Sequence, residues 1–395
     1  MNTSGFKTLE PEQRLLMGPG PVNVYPAVLR AMSLPMLGQF DPQFTDYMNE
    51  IMSLYRQIYR TRNKWTFLVN GTARAGIEAC LSSMISPGDR VLVPIFGRFG
   101  HLLTEISRRC QAEVINIETE WGTVFEAGQI ADAVSKHQPR FVALVHGDTS
   151  TTMAQPLDEI GPLCREAGTV VYVDTTATLG GMPFEVDKWC LDAVSSGLQK
   201  CLSGPPGCSP VTINDRVAEI VNSRKHVEAG IRPDGVAMLM DYWSPMRLNH
   251  HTEATSMLYA AHTCAQVVLN EGLEAGFARH RITSQAIRKG LTAMGLELFG
   301  HESHRMDNVT GVFIPKILGD GEQVRSQLLG DFGIEIGTSF GPLKGKIWRI
   351  GTMGYVCRKT NILRCLSALE AVLRRNGFEV PPGEGVDAAY KVFEQ

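Results

Sequence analysis

Residues 140–200 read RFVALVHGDTSTTMAQPLDEIGPLCREAGTVVYVDTTATLGGMPFEVDKWCLDAVSSGLQK. Three apolar runs of strand length stand in this stretch: Arg140-Phe-Val-Ala-Leu-Val-His146, Thr169-Val-Val-Tyr-Val-Asp174 and Ala193-Val-Ser-Ser-Gly197. Helix-compatible chain near Leu157 to Ala167 separates the first two. Runs of this kind suit strands covered on both faces, and joining them through helices requires crossover connections. The same alternation extends upstream. Thr66-Phe-Leu-Val precedes a helix-like Ala75–Ile85, Arg90-Val-Leu-Val-Pro precedes Gly100–Cys110, and Ala112-Glu-Val-Ile-Asn precedes Ala127–His137. The predicted fold class is therefore α/β, with a mostly parallel sheet.

Further outward the pattern changes. A Pro/Gly-rich Met17-Gly-Pro-Gly-Pro-Val-Asn23 closes a polar N-terminal segment. A long helix-compatible stretch, Thr252–Glu274, is followed by helix-like His280–Met294, strands near Thr310–Pro315 and Lys346–Ile350, and a helix Lys359–Arg375. The expected organisation is an arm over 1–22, a large domain over 23–274 and a smaller α+β domain over 275–395.

The 395 residues are 44% hydrophobic and 20% charged, with 38 basic and 41 acidic side chains and a formal charge of −3. That is enough apolar chain for a large core. Without a basic run to meet phosphate, neither a nucleic-acid nor a membrane partner is expected, which leaves a small molecule. The N-terminus lacks the basic and apolar regions of a signal peptide, so the expected location is cytoplasmic. Nine cysteines show no CxxC pair and read as reduced thiols. Cys201 and Cys208 bracket a Gly/Pro loop at spacing that disfavours zinc, and adjacent His250 and His251 have no carboxylate at ligand spacing, so no metal is expected.

Sheets of this kind place ligands beyond the carboxyl ends of their strands. After Thr66-Phe-Leu-Val-Asn comes Gly71-Thr-Ala-Arg-Ala-Gly-Ile-Glu78, a turn into a helix whose first N–H groups favour an anion. Thr72 there is either a plain N-cap or an anion ligand. Asp174 ends its run, and Lys200 follows another in Ser195-Ser-Gly-Leu-Gln-Lys200, ahead of a Gly/Pro loop that favours partial desolvation. An anion site, a carboxylate and a lysine at successive strand ends fit pyridoxal 5'-phosphate, which needs a phosphate cradle, a partner for its ring nitrogen and an amine to bond its aldehyde.

Almost the whole chain resembles the alanine/serine:glyoxylate aminotransferase family, a class V group of the fold type I pyridoxal-phosphate enzymes. Gly18-Pro-Gly-Pro-Val-Asn23, His146-Gly-Asp-Thr-Ser150, Val173-Asp-Thr-Thr-Ala177, Ser196-Gly-Leu-Gln-Lys200, His250-His-Thr252 and Trp348-Arg-Ile-Gly351 carry the resemblance. It implies that Lys200 bonds the cofactor and moves the substrate proton, that Asp174 pairs with the ring nitrogen and that Phe99 stacks on the ring. It further implies Thr149 at the ring hydroxyl and Arg349 on the substrate carboxylate, where a planar fork meets a planar carboxylate. Thr72, Ala73, Gln199 and the neighbouring subunit's Thr252 would hold the phosphate, which implies a homodimer with shared sites. His146 is expected to orient the loop carrying Thr149.

Two positions depart from most of the family. Asn249 stands where alanine-specific relatives have Tyr, and Gln39 where many have Ser or His. A ureido group, with a carbonyl and N–H groups in one plane, complements two amides, whereas alanine leaves them unpaired. The pair resembles the branch of the family that acts in purine catabolism on (S)-ureidoglycine with glyoxylate. An alanine- or serine-glyoxylate or pyruvate aminotransferase is the alternative. A cysteine desulfurase would need a nucleophilic cysteine on a mobile loop, and a non-enzymatic homologue would not need Lys200, Asp174 and Arg349 together.

Overall fold

A computed structural model describes residues 8–223, 235–247 and 250–395. Its centre is a seven-stranded sheet of β1 (Trp65–Gly71), β2 (Arg90–Ile95), β3 (Glu113–Glu118), β4 (Phe141–Val145), β5 (Val170–Asp174), β6 (Ala193–Ser195) and β7 (Gly207–Ile213). The spatial order is β1-β7-β6-β5-β4-β2-β3. All pairs are parallel except those of β7, which runs antiparallel to both β1 and β6. Every residue of β4 and β5 is buried, as apolar runs covered on both faces require.

The strand β7 and the helix Pro42–Tyr59 are elements that the strand–helix alternation does not anticipate. Pro210 lies inside β7, opposite Leu68 of β1, where a missing N–H argues against a central strand. The ladder tolerates it because the register of three-residue β6 begins only at Val211. Pro42–Tyr59 starts on Asp41, whose carboxylate accepts from Gln43 N at 2.8 Å, and buries Phe44, Met48, Ile51 and Tyr55 at helical spacing.

The expected helices Thr252–Glu274 and His280–Met294 are Thr255–Glu271 and Leu273–Ala293, the second beginning directly after Gly272. Beyond them, β8 (Val309–Phe313), β9 (Gly337–Thr338) and β10 (Ile347–Gly351) form a second sheet with β10 central and both neighbours antiparallel to it. One apolar cluster joins Val28 through Val268 around the large sheet; another joins Ala286 through Ala389 and takes in Met17.

The N-terminal segment is more than a lead-in. Leu15–Leu16 pairs in parallel with Ile334–Glu335, and Gly351 N donates to Met17 O at 2.7 Å. The chain then crosses to the loop between β6 and β7, where Val22 N donates to Gln199 O at 3.2 Å and Tyr25 N to Ser203 O at 3.1 Å. Among the described residues, no helix is long and apolar enough to span a membrane.

Candidate active site

Register decides which loops meet. Asp174 stands opposite Val145 on one side and Ser195 on the other, so β4, β5 and β6 end level. The segments that follow, His146–Ser150, Thr175–Ala177 and Ser196–Lys200, therefore leave the sheet side by side. Gly71, at the end of β1, is paired with Gly207, which brings the start of the helix Ala73–Met84 to the same edge.

These ends enclose a cavity of about 760 Å³. Thr72, Ala73, Phe99, Thr149, Asp174, Gln199 and Lys200 all line it. Arg349 stands behind the wall, with Nη1 donating to Thr149 O at 2.8 Å and Nε to Thr338 O at 2.6 Å. Gln39 and Thr252 do not line the cavity of their own chain. Gln39 is half-buried with Oε1 unpartnered, and Thr252 is exposed. Asn249 lies outside the described residues.

Thr72 occupies the N-cap position of its helix, yet its side chain makes no capping hydrogen bond. The hydroxyl and the free N–H groups of the first turn are thus both available to an anion. Two further cavity residues hold buried, unpartnered oxygens, Thr176 Oγ1 and Gln199 Oε1. Groups of that kind are costly to bury unsatisfied, and both belong to residues of the cavity lining.

Lys200 Nζ donates to the carbonyl of Pro19, so the arm reaches the lysine itself. Gly20 has φ +96, and a Cβ there would collide with Cδ, Cε and Nζ of Lys200. Only glycine allows the arm to pass this close. Burial, then the positive charge of Arg349, lowers the Lys200 pKa from 10.5 to about 8. Burial likewise lowers Arg349 to about 10. Asp174, 4% exposed, accepts from Thr176 N at 2.9 Å, and burial raises its pKa, with Asp148 adding in the same direction. A carboxylate in that position gains most from a cationic partner.

Asp148 is a site residue that the strand-end reading passes over, although its Asp-Thr-Ser context is a turn signature. Fully buried, it accepts from Ser150 N at 2.9 Å and Ser150 Oγ at 2.6 Å through Oδ1, and from Phe99 N at 2.8 Å through Oδ2. A Cβ on Gly97 would collide with this carboxylate. The Gly97–Phe99 turn is thereby fastened to β4's loop, which presents the Phe99 ring to the cavity. In Asp148→Asn one amide N–H₂ must face an N–H donor. A loss of about 1–3 kcal/mol is expected, read as a lowered urea midpoint; an unchanged midpoint would remove Asp148 from this role.

His146 does not turn toward Thr149. Its Nδ1 lies 2.7 Å from Thr178 Oγ1, its ring packs against Phe184 and Trp189, and burial lowers its pKa to about 3. Its backbone N–H, 2.9 Å from Asp174 O, braces the strand tip instead. His251 Nε2 lies 2.5 Å from Asn70 Nδ2, and its Nδ1 is 2.8 Å from His250 Nδ1. None of the nine cysteines is in a disulfide.

Against this geometry stand the likenesses to known proteins. The sequence profile of the family "Aminotransferase class-V" matches residues 25–342. The chain is 50% identical to the (S)-ureidoglycine–glyoxylate transaminase of Bacillus subtilis, over 99% of this chain and 98% of that one. The crystal structure of ureidoglycine-glyoxylate aminotransferase from Bacillus subtilis superposes with a TM-score of 0.96 at 51% identity, covering 98% of this chain and 100% of that one. The alanine–glyoxylate aminotransferase of Nostoc sp. superposes with a TM-score of 0.92 at 38% identity, covering 95% and 100%. With a lysine, a carboxylate and a helix start gathered at one sheet edge, and these likenesses running the length of the chain, the protein belongs to the class V aminotransferases.

Proposed function

We propose that the protein uses pyridoxal 5'-phosphate to transfer the amino group of (S)-ureidoglycine to glyoxylate, releasing oxalurate and glycine. One observation carries the reading: Lys200, Asp174 and the uncapped start of the helix Ala73–Met84 face a single cavity, with Arg349 immediately behind it. The half-identical ureidoglycine–glyoxylate transaminase supports the choice of substrates.

The residues fit the cofactor. The Thr72 hydroxyl, the N–H groups following it and Gln199 would hold the phosphate, Phe99 and Asp174 would hold the ring, and Lys200 would bond the aldehyde. Bound there, the cofactor supplies an electron sink for the breaking Cα–H bond. The chain supplies the rest. Lys200 Nζ, neutral at higher population than an ordinary lysine, would take the proton from Cα and deliver it to the carbon that was the cofactor's aldehyde. Asp174 holds positive charge at the ring nitrogen, where its own burial makes a cation welcome. Arg349 grips the carboxylate of donor and then of acceptor, so both halves use one anchor.

A second copy of the chain completes the site in this reading. Around Gln39 the chain exposes Met36 (68%) and Phe40 (86%), apolar surface of the kind that subunit contacts cover. Thr252 and Gln39, which do not line their own cavity, would then face the partner's. The arm over 1–22, the large domain over 23–274 and the small domain over 275–395 are the units of this reading, and Leu15–Tyr25 joins the two domains by bonding to Ile334–Glu335 and Gly351 on one side and to Gln199 and Ser203 on the other. Nine cysteines outside any disulfide suit a reducing compartment, the cytoplasm.

Purified protein given (S)-ureidoglycine, alanine or serine, each against glyoxylate, pyruvate and oxaloacetate, tests the assignment. Ureidoglycine with glyoxylate is expected to be fastest; a preference for alanine or serine would make the protein an alanine- or serine-glyoxylate aminotransferase. Gln39→Ser with Asn249→Tyr should cost ureidoglycine about 10- to 100-fold in kcat/KM, the worth of one or two lost amide hydrogen bonds, and raise the relative rate with alanine. Intact ureidoglycine activity in that double variant would refute the role of both amides.

A further inference from the structure

Arg349 does not face the cavity. It is 4% exposed, and the ring of Phe340, 41% exposed, stands on the cavity side with its centroid 5.0 Å from the guanidinium carbon. A second guanidinium, that of Arg98, lies over the same ring, also at 5.0 Å. Arg98 lines the cavity and is exposed, and among the described residues it forms no ion pair. Glu105, a carboxylate in the same lining, is held by Arg109 at 2.7 Å. One aromatic ring thus separates a cation open to the cavity from the buried cation assigned to the substrate carboxylate.

We propose that Phe340 is a gate between two carboxylate-binding groups: Arg98 captures the substrate carboxylate within the cavity, and Arg349 receives it when the ring swings aside. The proposal rests on the reading of Arg349 as the carboxylate anchor. The backbone beneath the ring is fastened, because Ser339 Oγ donates to Ser150 O at 2.6 Å and the turn Gly341–Leu343 follows directly. A half-exposed ring on fixed backbone moves by side-chain rotation, which is fast compared with turnover. Arg349 is ready to receive the carboxylate: the carbonyls of Thr338 and Thr149 engage Nε and Nη1, and neither engages Nη2. The exchange favours the substrate, because a forked charge-assisted bond is stronger than the cation–π contact it replaces. Without a carboxylate the ring shields Arg349 from water, and its backbone anchors keep the guanidinium aimed.

The test uses the holoenzyme and acetate, a carboxylate that cannot be transaminated, with binding read by the fluorescence of Trp121 in the cavity wall. Phe340→Ala should tighten acetate about fivefold, the worth of one cation–π contact, and lower the KM for glyoxylate more than it changes kcat. Arg98→Gln should lower kcat/KM for glyoxylate roughly tenfold at low ionic strength, with kcat within about twofold, as expected for loss of electrostatic capture. In the Phe340→Ala background the effect of Arg98→Gln should shrink to about threefold or less, since an open Arg349 needs no handover. An undiminished Arg98 effect in that background, or acetate binding unaltered by Phe340→Ala, would overturn the gate. Arg349→Gln separates the two readings. If it leaves acetate binding unchanged, Arg349 is not the anchor and the proposed function loses that residue. If it abolishes acetate binding while Phe340→Ala does nothing, the anchor stands and the gate falls.

Discussion

Lys200→Ala is expected to lower turnover by about 10⁴-fold, the combined worth of a covalent amine and a positioned proton carrier. The visible absorption of the lysine-bound cofactor should vanish with it. No other amine takes over, because Lys200 is the one lysine among the described residues that line the cavity. A small added amine such as methylamine should restore part of the rate, since the cavity keeps its shape when a flexible side chain is shortened. The same lysine sets a pH dependence. With a pKa of about 8, roughly a tenth of it is neutral at pH 7, against a few in ten thousand for a lysine at 10.5. Uptake of the cofactor by protein stripped of it should therefore rise about tenfold from pH 6 to 7, flatten above pH 8, and lose this profile in the variant. Retained turnover in Lys200→Ala would sink the mechanism.

The second large effect is Asp174→Asn, expected to slow the Cα–H step by about 10²- to 10³-fold, the scale of removing one preorganised charge partner from a dry site. The fold should survive, because the amide oxygen can still accept from Thr176 N, which the carboxylate does at 2.9 Å. What is lost is charge. A neutral amide cannot hold a proton on the ring nitrogen, so electrons leaving Cα find a poorer sink. The substitution should also raise the deuterium isotope effect at Cα, as proton removal comes to limit the rate; equal rates and equal isotope effects would remove Asp174 from its role.

The sheet was legible because its strands are covered on both faces, which forces unbroken apolar runs such as Phe141–Val145 and Val170–Asp174. Their ends then point to Asp174 and Lys200 with no tertiary knowledge. The strand Gly207–Ile213 escapes the same logic because Pro210 breaks its signature, and it is tolerated only where its neighbour is short. His146 shows the opposite failure. Its backbone is where the motif places it, but a ring buried by Phe184 and Trp189 cannot be oriented from sequence.

By itself, then, the sequence determined an α/β sheet, a lysine, a carboxylate and a helix start at its carboxyl edge, and the family these identify, because each depends on local burial and on spacing of a few residues. Tertiary structure alone decided that Pro19 and Gly20 close on Lys200, 181 positions later, that Asp148 pins the turn before Phe99, and that Phe340 stands between Arg98 and Arg349. Those contacts join segments far apart in the chain, and their geometry is set by how the second sheet and the arm dock on the first, which no local pattern encodes.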